Sequence, residues 1–212
     1  MTAIWGPLGW MTLHSTAFAY PESPSNSERD LMTTWLDMFR DTITCPSCKG
    51  HFTEMLGKYR TLFPNMLQSR HEFVMFTFRA HNAVNKRLNK PLYSSVDECV
   101  ATLRNNIRSR TAHEYRVSYI NHITRHWKTF QDVSGIVALK KIREMKRIED
   151  EYIGTRDTNF AIQIRSDIVI LPQSVLEQTT ETRVARPMFF GGPTGGAAAG
   201  FQITSRGLRL RR

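Results

Sequence analysis

Apolar residues recur at intervals of three and four from Trp5 to about Arg110, and no alternating β-branched run is bounded by hairpin turns, so this half of the chain reads as all helix. A first helix is predicted from about Pro7 to Ala19, with Pro7 in its first turn, the Tyr20-Pro21 step as its stop, and Trp10, Leu13, His14 and Ala17 as its inward stripe. Ser25-Asn26-Ser27 can cap a second helix, Glu28 to Ile43, whose stripe takes Leu31, Trp35, Met38 and Phe39. A short third helix follows from Pro46 to about Lys58. A fourth spans Ser69 to Asn89 and is ended by Pro91, with Phe73, Phe76, Thr77, Ala80, His81, Val84, Asn85 and Leu88 along one face. A fifth begins after Ser94-Ser95 and reaches about Arg108. The expected fold is all-α: a four-helix bundle plus a short fifth helix, about a hundred residues long.

The pattern changes beyond that point. Thr111 to Phe130 carries Tyr115, Tyr119, Ile123, His126 and Trp127 at roughly helical spacing, and Val133 to Ile153 carries Ile136, Leu139, Ile142, Met145 and Ile148 with a Lys/Arg/Glu outer face. Two further helices are expected. Asn159 to Leu176 contains short apolar runs that suit strand or loop, and from Arg186 onward glycine and arginine dominate, as in a flexible basic tail. The organisation expected is therefore a bundle over residues 1–110, a basic and mainly helical extension over 111–185, and a tail over 186–212.

Composition sharpens this picture. The 212 residues are 41% hydrophobic and 23% charged, enough to bury a core and too apolar for a wholly disordered chain. Residues 1–104 carry 11 basic and 9 acidic side chains, whereas residues 105–212 carry 18 and 10, so most of the net charge of +10 lies in the second half. No apolar stretch is long enough for a membrane span, and the start of the chain has no signal-peptide pattern, so a soluble protein kept inside a cell is expected, with no membrane partner. Three cysteines, Cys45, Cys48 and Cys99, cannot form a disulfide framework. The close pair needs another explanation.

That pair lies in Thr44-Cys45-Pro46-Ser47-Cys48-Lys49-Gly50-His51-Phe52. If Cys45 caps the third helix and Pro46 opens it, the Cys45 sulfur meets unpaired backbone N–H groups and the positive end of the macrodipole, which favours a thiolate. Cys48, one turn on, can form a reducible disulfide with it. The competing reading is half a zinc site with His51 as a third ligand, although a second CxxC to complete it is missing. A second signal comes from polar groups in apolar stripes: His14 on the first helix, His81 and Asn85 on the fourth. Each needs a partner, because burying such a group unbonded costs roughly 1 to 3 kcal/mol. Core histidines with partners are the bland solution. Beside Trp10, Phe18, Phe76 and Phe78, the same groups suit a planar heteroaromatic cofactor such as a flavin, with Lys86, Arg87 and Lys90 available for its pyrophosphate. No GxGxxG follows a strand, so a Rossmann route is excluded.

Trp5-Gly6-Pro7-Leu8-Gly9-Trp10-Met11-Thr12-Leu13-His14, then Tyr20-Pro21, then Cys45-Pro46-Ser47-Cys48 with His51-Phe52, then the run His81 to Pro91, HNAVNKRLNKP, together resemble the Erv/ALR family of FAD-linked sulfhydryl oxidases over about residues 3 to 108. The resemblance implies a bundle holding FAD non-covalently, usually a homodimer, that passes electrons from a substrate dithiol to the CxxC disulfide, to the flavin and then to O2, giving hydrogen peroxide. It implies catalytic roles for Cys45, which exchanges with the incoming thiol, and Cys48, the flavin-proximal sulfur. It implies cofactor contacts at Gly6, Trp10, His14, His51, His81, Asn82, Asn85, Lys86 and Lys90, and no metal.

Departures from the family pattern are Pro7 in place of a common Arg, Phe76 in place of a Trp, a missing Trp near Val100, lone Cys99 where a second disulfide is common, and no shuttle CxxC or CxC. Substrate must then reach Cys45 directly, through a partner, or through Cys99 of a neighbouring subunit. Members without a shuttle are typical of large DNA viruses, which implies a viral enzyme that acts on virion proteins in the host cytoplasm, with packaging into the virion as a further option. The basic second half lies outside the resemblance. Solvated helix faces are its simplest reading, and Tyr115, Tyr119 and Trp127 among Arg108, Arg110, Arg116, Arg125 and Lys128 leave nucleic-acid contact open as an alternative, with a zinc-assisted Cys45/Cys48/His51 site.

Overall fold

In a computed structural model, the structure describes residues 2–106, 110–158 and 160, with side chains from Trp5 onward. Apart from Phe160, the strand or loop expected over 159–176 and the tail expected over 186–212 lie outside the described residues. All described residues fall in one compact unit, Met1–Thr179. Among them the regular structure is entirely helical: α1 Thr2–Ala19, α2 Asn26–Thr42, α3 Pro46–Leu62, α4 Arg70–Arg87, α5 Val96–Asn106, α6 Ala112–Trp127 and α7 Val133–Ile148, which ends in a π turn at Glu149–Ile153.

The helix starts follow from their caps. Ser25 and Thr111 form reciprocal capping boxes with Glu28 and Glu114, while Ser69 and Asp132 accept from the backbone N–H groups of Glu72 and Gly135. α4 stops in a Schellman motif: Asn89 takes a positive φ of 53°, its N–H donates to Lys86 and the Lys90 N–H donates back to Asn85 at 2.9 Å. This gives the NKP end of the HNAVNKRLNKP run a backbone reason. Asn tolerates the left-handed turn, and Pro91 cannot continue a helix.

α4 is the central helix. Every residue from Phe73 to Ala80 is buried, because α1 packs on one side, α5 near one end, and α3 reaches it through large rings: Tyr59 stands edge-on to Phe76 at 4.8 Å and its hydroxyl accepts from Arg79 at 3.0 Å. The extension is not peripheral to this bundle. α6 lies along α1 with the Tyr119 ring over Gly9, where a Cβ would stand at ordinary contact distance, 3.4 Å from that ring and 3.5 Å from that of Trp5. α7 packs on α2, where Glu28 accepts from the Tyr152 hydroxyl at 2.9 Å and from Arg156 at 2.7 Å. Between α6 and the π turn, buried Arg116 meets buried Glu149 at 2.8 Å, and His113 meets the same carboxylate at 2.7 Å.

Several expectations need correction. α1 begins at Thr2 rather than Pro7, and α3 runs on to Leu62. α7 ends at Ile148, where the backbone widens so that Glu149 can enter the core. Ile136 and Leu88, placed on inward stripes, are exposed. Arg116 and Tyr119, considered for phosphate contact and base stacking, are both buried, Arg116 in an ion pair and Tyr119 against Phe39 at 5.3 Å. They offer nothing to a nucleic acid.

Candidate active site

Pro46 restricts the residue before it to extended backbone, and Cys45 obeys, with φ −97° and ψ 112°. Cys45 is thereby the N-cap of α3. Its carbonyl accepts the Lys49 N–H at 2.8 Å and its Sγ accepts the Cys48 N–H at 3.3 Å, with the Ser47 hydroxyl at 3.4 Å. The two sulfurs are joined in a disulfide with the Cα atoms 5.2 Å apart. Cys48 packs against the core, one turn before buried Phe52, while Cys45 stays at the rim. A thiolate released at Cys45 would meet a backbone N–H and the positive end of a 17-residue helix, which lowers its proton affinity and makes it a good leaving group. As a disulfide the paired sulfurs are not metal ligands, and His51 is exposed on α3 beside Glu54.

A second cluster joins α1, α4 and α5. Trp10 stacks on His81 with ring centroids 4.1 Å apart, His14 Nε2 lies 3.0 Å from His81 Nδ1, and Tyr93 meets His81 edge-on at 5.2 Å. The Cys99 thiol is 4.0 Å from His14 Nε2. Burial pushes both imidazoles down, His81 to about 4 with help from the Lys90 cation and His14 in the same direction with help from His81. Both rings are neutral near pH 7. Burial likewise pushes the Cys99 thiol up to about 12, with Glu98 adding to it, so Cys99 is a buried neutral thiol.

Asn82 and Asn85 have their partners in the chain itself. Asn82 Nδ2 donates to the Tyr93 carbonyl and its Oδ1 accepts the Tyr93 N–H, each at 3.0 Å, and Asn85 Nδ2 donates to the Pro91 carbonyl at 3.1 Å. These amides strap the segment after Pro91 onto α4 and so set Tyr93 against His81. Lys86 and Lys90 are exposed and form no ion pair among the described residues. Gly6 is partly buried, with open space where a Cβ would stand. Tyr93 and Cys99 were missed as cluster members, because only the two-point bond from Asn82 brings residue 93 back onto α4.

The residues fit a flavin nucleotide. Trp10, His14, His81 and Tyr93 offer aromatic rings and two uncharged imidazoles joined by one N···N contact, and Lys86, Arg87 and Lys90 at the end of the same helix form no ion pair among the described residues and suit a pyrophosphate.

Comparisons agree with this set. The Erv1 / Alr family model matches residues 8–115. An FAD-linked sulfhydryl oxidase of African swine fever virus is 36% identical over 90 residues, 42% of this chain and 72% of that protein. A protein of Invertebrate iridescent virus 3 is 35% identical over 88 residues, and the match spans 58% of its length. One from Acanthamoeba polyphaga mimivirus is 26% identical over 140 residues, 66% of this chain and 96% of the relative. No solved structure matches. A capped CxxC disulfide, the α1–α4 imidazole pair and a family match over half the chain lead to one conclusion: this chain belongs to the Erv1/Alr family.

Proposed function

We propose that this protein is an FAD-dependent thiol oxidase that forms disulfide bonds in protein substrates. The observation that carries this reading is the Cys45–Cys48 disulfide at the N-terminus of α3, with one sulfur at the rim and the other against the core. A substrate thiolate attacks Cys45 Sγ, the S–S bond breaks, and Cys48 leaves as the thiolate. The second substrate thiol then attacks the substrate's sulfur in the mixed disulfide, and Cys45 leaves as a thiolate held by the Cys48 N–H. The substrate gains a disulfide, the protein holds the two electrons as a dithiol, and two protons are released or retained on sulfur. FAD, when bound, would supply the two-electron acceptor for that dithiol, with O2 as the final acceptor and hydrogen peroxide as the product. Trp10, His14, His81 and Tyr93 would hold its ring systems, Lys86 and Lys90 its phosphates, and Asn82 and Asn85 keep this wall in place.

The relatives in three large DNA viruses support a role in disulfide formation in virion proteins in the host cytoplasm. A homodimer belongs to the same reading, and sedimentation velocity tests it. For the enzyme itself, the test is oxygen uptake and peroxide release on adding dithiothreitol to flavin-loaded protein. Stoichiometric peroxide is expected, and a flavin-loaded protein that consumes no oxygen would refute the proposal.

A further inference from the structure

The start of α7 carries an apolar stripe that packs against none of the core of the described residues. Val133 is 75% exposed, Ile136 63% and Val137 45%, and Phe130, in the turn before them, is 42% exposed. Positions 133, 136, 137 and 140 lie at i, i+3, i+4 and i+7, one face of the helix, with Lys140 at its end. The opposite face, Gly135, Ala138, Ile142 and Met145, is the buried one. Single exposed apolar residues are ordinary, but a contiguous set is not. The turn lies close against the helix, since a Cβ on Gly135 would lie 2.2 Å from the Phe130 carbonyl oxygen.

This stripe connects to the CxxC motif through the end of α2. Trp127, whose ring is 5.2 Å from that of Phe130, donates its Nε1–H to the carbonyl of Thr42 at 2.9 Å. Thr42 is three residues before Cys45, a reach of about 10 Å at most. Lys141, next to the stripe, pairs with Asp41, and Lys49, in the first turn of α3, donates to the Asp41 carbonyl at 2.9 Å. The end of α2 thus joins the stripe-bearing helix to the helix that carries both sulfurs. Lys128 and Lys140 at its margins form no ion pair among the described residues.

Resting on the thiol-oxidase reading, we propose that the Phe130/Val133/Ile136/Val137 face is where the polypeptide to be oxidised docks, and that it selects cysteines flanked by apolar and acidic side chains. Within these 212 residues the one cysteine besides the Cys45–Cys48 pair is buried, so they offer no second dithiol at the surface, and a substrate chain that meets Cys45 directly lies against the surface around it. The apolar stripe, joined to the start of α3 through the end of α2 and flanked by Lys128 and Lys140, which form no ion pair among the described residues, suits such a chain.

The test uses flavin-loaded full-length protein with two synthetic peptides that share a central pair of cysteines and glutamates, one flanked by leucines and one by serines, and with dithiothreitol. For the wild type the leucine peptide is expected to have a KM about tenfold lower, a modest share of what burying two leucines can provide. Ile136→Asp/Val137→Asp is expected to bring the two peptides to within about twofold, while dithiothreitol turnover and flavin content stay at the wild-type level. Ile136→Ser serves if the double variant fails to hold flavin. Equal use of both peptides by the wild type, or a preference that survives the substitutions, overturns the proposal. A dimer that dissociates on substitution while the peptide preference stays would show the face to be a self-association surface, which also overturns it. Failure to oxidise even dithiothreitol would instead sink the thiol-oxidase reading, and this inference with it.

Discussion

The indole of Trp10 lies flat against the imidazole of His81, centroids 4.1 Å apart and planes 7° from parallel. This stacking helps to keep water from His81, and the Lys90 cation further disfavours a second positive charge there, so its folded pKa is about 4 against 6.5 when unfolded. Between those values the unfolded chain takes up a proton that the folded one refuses. Stability is therefore full above about pH 6.5, falls as pH drops through the window, and levels off below about pH 4, a loss of about 3 kcal/mol from His81 with His14 acting in the same direction. Urea midpoints measured across this range should fall with acid, and His81→Gln should flatten the slope. An unchanged slope in that variant would contradict the assignment.

Cys99 should be chemically silent. With its thiol pushed up to about 12 and the side chain buried, iodoacetamide at neutral pH should label only Cys45 and Cys48 of the reduced, folded protein, as read by mass spectrometry. Rapid labelling of Cys99 without unfolding would show that the α5 end of the cluster is open.

Arg116 and Glu149 hold the α6–α7 pair against the bundle from inside. Removing one partner strands the other charge, so Arg116→Ala should destabilise by about 3 to 5 kcal/mol, while replacing both with apolar residues of similar size should do much less harm. A double-mutant cycle in urea checks this. Additive single effects would mean that the pair is not coupled.

Asn82 spends one acceptor and one donor on the Tyr93 backbone. Asn82→Ala should release the segment after Pro91 and weaken flavin retention by about tenfold through loss of two buried hydrogen bonds. Equilibrium dialysis gives the measurement, and wild-type retention would remove Asn82 from the cofactor wall.

Much of this was legible before any coordinates. The helix starts were written in Ser25, Ser69 and Thr111, and the chemistry of Cys45 followed from its place before Pro46, because caps and proline act over three or four residues. Burial patterns depending on distant partners were not. Ile136 fits an inward stripe by spacing, yet α2 takes the opposite face of α7 through Met145, whose sulfur lies 3.7 Å from the Thr42 hydroxyl. Arg116 looked like a surface cation because Glu149, 33 residues away, becomes its partner only through a π turn. Likewise, the imidazoles of His14 and His81 were read as needing partners, and nothing local could say that each would find the other.

The most direct test of the account is an anaerobic titration of the flavin-loaded protein with dithiothreitol, followed by visible absorption. The wild type should lose its yellow colour, with full reduction taking four electrons per flavin, two in the Cys45–Cys48 dithiol and two in the flavin, and Cys48→Ser should keep its flavin and stay yellow. A Cys48→Ser protein that bleaches as fast as the wild type, or a protein that binds no FAD at all, would contradict the central claim that electrons enter through the Cys45–Cys48 pair.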